Sequence, residues 1–344
     1  MKKILSVLLV LVMSISLIAT FSACGEEPSE DTNDVNASTN TDNANVEVNF
    51  DEKYDEAISF MNSGKYEEAF FAYEELQKIQ DRTEDAKERI YSAATAYLED
   101  GKYTEAFLSF RSVYGYKDSA KQLLHLKVVY DKKTDSSASY GYKIYDANGN
   151  LVREEKKNGS GEYIQYYYDD AGRLIGSEET GGQRAEVTYI YDGPYVEEFT
   201  YWRASDNKFY TVYTYDEHGK LIKEDYTGKS QSTVKEYTYN ENGKCIKITR
   251  NWDVLEFTYD EYSRLVEYIY DGEISTKFVY NEYGDQIKTL SYKNGEVGST
   301  YEHTFDVFGN EIKNDYGQSF TYEGIRVIYS ENEIAKENEF IARF

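Results

Sequence analysis

The rhythm of apolar and polar positions changes along the chain, and each rhythm predicts a different element. Residues 4–18 are an apolar run behind Lys2 and Lys3. Its length suits a signal-peptide core and falls short of the roughly 20 apolar residues that a membrane-spanning helix needs. Residues 25–50 carry mostly Asn, Thr, Ser, Asp and Glu, with few apolar side chains before Val46. Such a stretch buries too little surface to offset its ordering entropy, so 24–50 reads as a disordered acidic tether. From Asp51 the period turns helical: Tyr54, Ala57, Ile58 and Met61 fall at i, i+3, i+4 and i+7, and Gly64 ends that helix. Beyond Val129 strict alternation takes over, the mark of half-buried strands.

The helical stretch repeats itself. Gly64-Lys65-Tyr66-Glu67-Glu68-Ala69-Phe70 matches Gly101-Lys102-Tyr103-Thr104-Glu105-Ala106-Phe107, and Tyr73 and Phe110 stand four residues after the two alanines. Tyr116-Lys117-Asp118-Ser119 opens a further helix, with Asp118 or Ser119 placed to cap it. About five helices in two hairpins are expected over 51–129. The Gly, Tyr, Ala and aromatic at fixed offsets resemble the tetratricopeptide repeat, although the Trp and Pro of that pattern are missing. The resemblance implies a shallow peptide-binding groove; a spacer docked on the following strands is the alternative.

Residues 130–329 are built on one repeated unit: aromatic, any residue, aromatic, then Asp or Asn, two variable residues, Gly, and soon an aliphatic. The turn pairs are Asp146 and Gly149, Asp169 and Gly172, Asp216 and Gly219, Asn240 and Gly243, Asn281 and Gly284, and Asp306 and Gly309; Asp260 is followed by Ser263 instead of Gly. Degenerate copies stand at Tyr191-Asp192-Gly193 and Tyr322-Glu323-Gly324. The acid or amide bonds the backbone two residues on, and Gly supplies the positive φ of a type I turn closed by a bulge. Alternate aromatics share one face, and the aliphatic after the turn meets them from the partner strand. Each hairpin is marginal alone, and stacking makes a continuous sheet. The Tyr-Asp turn and its period, with Gly172-Arg173-Leu174 in one copy, resemble the YD repeat of Rhs-family proteins over 140–325. The resemblance implies a spiralling sheet. Large members close it as a shell around a toxic C-terminal domain, for which this chain is too short, so a toxin-carrying role is not expected. The fold class expected is α+β, a helical-hairpin domain followed by an antiparallel β-hairpin repeat sheet, with 330–344 as a C-terminal cap or tail.

Composition sharpens this picture in three places. The 344 residues carry a net charge of −25, which argues against nucleic acid, because a phosphate backbone needs a clustered basic surface. The 2 cysteines divide by position. Ser22-Ala23-Cys24 after the apolar run resembles the lipobox of bacterial lipoproteins, with Phe21 in place of the usual Leu. That resemblance implies removal of 1–23, a lipid on Cys24 and attachment to the outer side of a cell membrane; an ordinary cleaved signal is the alternative. Cys245 sits where other copies carry Leu and reads as a small core residue. Of 37 tyrosines, 28 lie between 140 and 330, with Trp202 and Trp252 among them.

Candidate chemistry is sparse. Asp146-x-Asn148-Gly149 looks like part of a calcium loop, but other copies put Ala171, His218, Tyr262, Tyr283 or Phe308 at the Asn148 position, and turn chemistry explains them all. His218 and His303 have no Cys, Ser or second His at a motif spacing, and no nucleophile, zinc or phosphate-loop motif occurs. No catalysis, metal or cofactor is expected. The expected role is a lipid-anchored binding or scaffolding module for a protein or peptide. The alternative is a module for cell-wall or other envelope glycans that uses an aromatic ladder, with Trp202 and Trp252 as the contact rings.

Overall fold

A computed structural model describes residues 41–136, 140–156, 160–181, 185–202 and 205–330. The signal segment, Cys24, the tether up to residue 40 and residues 331–344 lie outside the described residues. Five helices come first: α1 (Thr41–Asn62), α2 (Tyr66–Gln77), α3 (Thr83–Glu99), α4 (Tyr103–Ser112) and the single turn α5 (Ser119–Gln122). A 3₁₀ turn over Leu123–His125 leads into the strands. Helix α1 starts upstream of the boundary expected at residue 51, and the helical core takes in the last residue of the expected tether. The reason is Phe50, fully buried with the guanidinium groups of Arg82 and Arg89 over its ring at 4.5 and 5.1 Å.

The repeated Gly-Lys-Tyr is a helix stop followed at once by a helix start. Gly64 and Gly101 take φ of 73° and 71°; Lys65 N donates to Phe60 O at 3.0 Å and Lys102 N to Tyr97 O at 2.9 Å. Both are six-to-one closures that satisfy carbonyls left over at a helix C-terminus. The next helix begins at Tyr66 or Tyr103. Ala57, Ala69, Ala86, Ala94 and Ala106 are fully buried where the helices meet, beside Met61, Tyr73, Leu76 and Ile90. Side-chain capping of α5 is not made: the Asp118 carboxylate instead receives the Tyr91 hydroxyl and, at 2.9 Å, Gln122 Nε2.

Twenty strands follow among the described residues. Strands β1 (Leu126–Val129) and β20 (Arg326–Tyr329) form a separate two-stranded ladder. The others are β2 (Lys132–Asp135), β3 (Tyr140–Tyr145), β4 (Leu151–Lys156), β5 (Tyr163–Tyr168), β6 (Leu174–Glu179), β7 (Ala185–Asp192), β8 (Tyr195–Trp202), β9 (Asn207–Tyr215) and β10 (Leu221–Thr227). They continue as β11 (Ser232–Tyr239), β12 (Cys245–Arg250), β13 (Val254–Tyr259), β14 (Leu265–Tyr270), β15 (Glu273–Tyr280), β16 (Gln286–Lys293), β17 (Glu296–Phe305), β18 (Glu311–Asn314) and β19 (Phe320–Glu323). Each pairs antiparallel with its chain neighbour, and β19 returns to β2, so the large sheet nearly closes into a barrel. The join is uneven: β17 and β18 share three residue pairs, and β18 meets β19 through the single bridge Lys313↔Ser319.

The repeated turn sets the register. A bulge follows each one, so that Tyr145 faces Leu151, Tyr168 faces Leu174, Tyr239 faces Cys245 and Tyr259 faces Leu265. The densest part of this face is Cys245, Ile248, Leu255, Phe257, Leu265, Tyr268 and Phe278. Ser263 adopts φ 62°, the conformation that Gly takes in the other copies. A side chain there is strained, so Ser263→Gly is expected to raise stability by up to about 1 kcal/mol, read as a higher urea midpoint at unchanged slope.

Candidate functional site at the junction of helices and turns

Strand pairing brings all the repeated turns to one end of the sheet. In six of them a carboxylate or amide oxygen accepts the main-chain N–H two residues on: Asn148 to Asp146, Ala171 to Asp169, His218 to Asp216, Tyr262 to Asp260, Tyr283 to Asn281 and Phe308 to Asp306. In the seventh, Asn240 Oδ1 accepts Lys244 N at 2.9 Å. These donors act on the acidity of two turn carboxyls, Asp169 and Asp216. The Arg173 main chain and side chain hold Asp169 below its ordinary value, and the Lys220 main chain does the same for Asp216. A carboxyl whose folded pKa is depressed contributes stability above its unfolded value, near 3.9, and loses it as pH falls through the folded value. The thermal midpoint is therefore expected to drop as pH goes from about 5 to about 2. The drop should be shallower in an Asp169→Asn, Asp216→Asn double variant, whose turns keep an acceptor at every pH.

The helical segment sits against three of these turns, and the β1 to β20 ladder against a fourth. Gly149 lies over Val129, where an added Cβ would stand 2.6 Å from Cγ1. Tyr114 meets Tyr262 at 5.5 Å between ring centroids, Phe70 meets Tyr283 at 5.1 Å, and Tyr66 meets Phe308 at 6.1 Å. At the centre stands Arg111 of α4. It donates from Nη2 to Asp285 Oδ2 at 2.5 Å, from Nε to Val307 O at 2.9 Å and from Nη1 to Tyr283 O at 3.3 Å. Both side chains of the ion pair are 7% exposed. One guanidinium thus ties two turns to one helix, and its extra hydrogen bonds offset the desolvation that makes buried pairs costly.

Beside this lock is a cleft of about 520 Å³. One wall is Glu74, Gln77, Lys78, Thr83 and Lys87 with the loop from Ser112 to Tyr116; the other is Tyr262, Glu282 and Tyr283 from the turns. Gln77 Nε2 donates to Ser112 O at 3.0 Å, and the Tyr283 hydroxyl donates to Glu74. Burial and the Glu74 carboxylate push the Tyr283 phenol well above its usual range, so it stays a donor at every physiological pH. The cleft therefore offers aromatic edges and faces, main-chain and amide hydrogen-bonding groups, and carboxylates and ammonium groups together. That mixture suits an extended polypeptide, whose backbone and side chains need all three.

The sequence-derived candidates do not converge. Trp202, at the end of β8, shares a face with Glu198 and Thr200, and Trp252 lies in the turn joining β12 to β13. Both are at the sheet end away from the helices. Four strand steps of about 4.8 Å separate them, roughly 19 Å, too far for one sugar ring to touch both. Among the described residues no group of three or more His, Cys, Asp or Glu side chains could hold a metal ion.

Two features escaped the sequence reading. One is the Arg111 lock. Its signal was the copy at 281, where Asn replaces the turn Asp and Asp285 stands where other copies carry Asn150, Arg173, Lys220, Lys244, Arg264 or Asn310. The other is a hydroxyl ladder. The second aromatic of a copy donates to the carbonyl just after the preceding turn: Tyr168 to Leu151, Tyr191 to Leu174, Tyr239 to Leu221, Tyr259 to Cys245, Tyr280 to Leu265 and Tyr322 to Glu311, all at 2.7–2.8 Å. The signal was that this position is Tyr in every copy but Phe305, while the position two before it varies among Tyr, Phe, His and, in the first copy, Lys143. Tyr259→Phe should cost about 1 kcal/mol in urea denaturation, because a half-buried carbonyl loses its donor.

The RHS Repeat family model matches residues 145–185, the stretch that holds the turns at Asp146 and Asp169. No curated protein matches the chain. Among solved structures the chain is similar to TcdB2-TccC3-TEV, with 14% identity, a TM-score of 0.25, and coverage of 52% of this chain and 13% of that one. It is also similar to a porin-like protein from Bacteroides uniformis ATCC 8492, with 11% identity, a TM-score of 0.33, and coverage of 58% of this chain and 96% of that one. At these TM-scores neither likeness bears on function. The family match covers two of the repeated turns, and the class that the structure itself defines is a hairpin-repeat sheet with a docked helical segment.

Proposed function

We propose that the protein is a non-catalytic binding or scaffolding module, held on the outer side of a cell membrane by a lipid on Cys24, that takes a polypeptide partner at the junction of helices and turns. The observation that carries this reading is the joint cleft: helical hairpins resembling tetratricopeptide repeats supply one wall and YD-type turns the other, and the Arg111 to Asp285 pair holds both walls in fixed relation. Fixed walls lower the ordering cost of binding. The acidic stretch after Cys24 spaces the folded part from an anionic membrane, since like charges repel at short range. Mass spectrometry of the mature chain is expected to find a diacylated Cys24 at the N-terminus, and an unmodified one would remove the anchor. The glycan reading keeps one supporting observation, the exposed outer rings of Tyr167, Tyr195, Tyr210 and Trp252. A glycan array is expected to give no binding, and a signal abolished by Tyr210→Ala and Trp252→Ala would favour the glycan reading instead.

A further inference from the structure

We infer that the helical segment, with the β1 to β20 ladder, is a clamp that keeps the large sheet closed. The sheet has one weak join. Elsewhere among the described residues neighbouring strands share at least three residue pairs, up to eight between β7 and β8 and between β8 and β9. Between β18 and β19 the strand pairing is the lone bridge Lys313↔Ser319, supplemented by Asn314 N on Gln318 O and by the Tyr322 hydroxyl on Glu311 O. A ladder that short leaves little to resist opening, because sheet stability comes from consecutive cross-strand pairs.

The clamp grips both sides of that join. On the β17 side, Arg111 reaches Val307 O in the turn between β17 and β18, and Asp285 and Tyr283 O in the turn between β15 and β16. On the other side, Thr104 Oγ1 of α4 accepts Val327 N of β20 at 3.3 Å, and Tyr103 stacks on Tyr329 at 5.7 Å. From β1, Lys127 Nζ donates to Asn148 O in the turn between β3 and β4 at 2.8 Å. Helix α4 thus holds the turns on one side of the weakest join directly and the turn between β3 and β4 on the other side through the β1 to β20 ladder, and this grip replaces the strand pairing that the join lacks. Release of the clamp gives the sheet a defined place to open, while the long ladders of β7 to β9 stay shut.

Hydrogen exchange of the full chain, read by mass spectrometry, tests this. Asp285→Asn removes the charge from the lock and installs the residue that Asn150 and Asn310 already provide at the same place in two other turns, so the hairpin itself is kept. Exchange in β18, β19 and β2 is expected to rise about tenfold or more, as befits a charge-assisted bond made neutral, with β7 to β9 unchanged. Thr104→Val, which removes one hydroxyl and keeps the side-chain volume, should raise exchange a few-fold in β20 and β19. Asp216→Asn, in a turn that meets neither the helices nor the β1 to β20 ladder, should leave the join as it is. Unchanged exchange at the join in both of the first two variants would overturn the inference. So would an increase spread evenly over β7 to β9, which would mean general loss of stability with no clamp.

Discussion

Arg111→Ala is expected to cost about 3–5 kcal/mol of stability, the largest effect of any single polar substitution in the molecule. The alanine leaves the Asp285 carboxylate buried without its cation, and it strips a donor from each of the carbonyls of Val307 and Tyr283. A surface ion pair such as Lys78 with Glu75, 2.8 Å apart and solvated on both sides, should by contrast change stability by well under 1 kcal/mol when broken. Chemical denaturation of the two variants side by side checks the contrast. Loss of near-equal size from both would show that Arg111 does not act as a buried tie.

Leu255→Ala is expected to cost about 2–5 kcal/mol. Leu255 is fully buried on β13 with Ile248 and Leu265, in the apolar cluster of the sheet. A cavity there cannot be refilled by strands that are held in register on both sides. This cluster is distinct from the helical core, so the losses from Arg111→Ala and Leu255→Ala should add to within about 0.5 kcal/mol in the double variant. A double variant no worse than the single ones would mean that one substitution already unfolds what the other touches.

The two halves of the fold were legible to different depths. The switch from helical period to alternation marked a change near Val129, although the first strand already begins at Leu126, and the Gly-Lys-Tyr repeat marked both helical hairpins, because a helix stop and a helix start are local events. The repeated turn was legible for the same reason. Return of β19 to β2 was not, since no pattern in Lys132–Asp135 or Phe320–Glu323 names its partner. The start of α1 was misplaced because the contact that holds it, Phe50 beneath Arg82 and Arg89, comes from residues far away in sequence. Trp202 and Trp252 were singled out for their size, and strand pairing then set them apart.

The site itself was legible only as departures from the repeat. Where Asp becomes Asn281 and a basic or amide residue becomes Asp285, the turn gives up its internal charge and offers it to Arg111. The ladder position that keeps Tyr while its neighbour varies is a departure of the opposite kind, a constraint stricter than packing demands. Both signals say that a repeated motif is most informative where its variation is uneven.

The central claim is that a polypeptide partner is held between the helices and the turns. It is tested most directly by a photo-reactive amino acid placed at position 262, in the cleft, and separately at Thr238, exposed on the sheet, in cells that carry the native envelope. A discrete protein adduct from position 262, absent from position 238 and lost in the Asp285→Asn variant, is the expected result. Equal adducts from both positions, or none from position 262 while position 238 labels a partner, would contradict it.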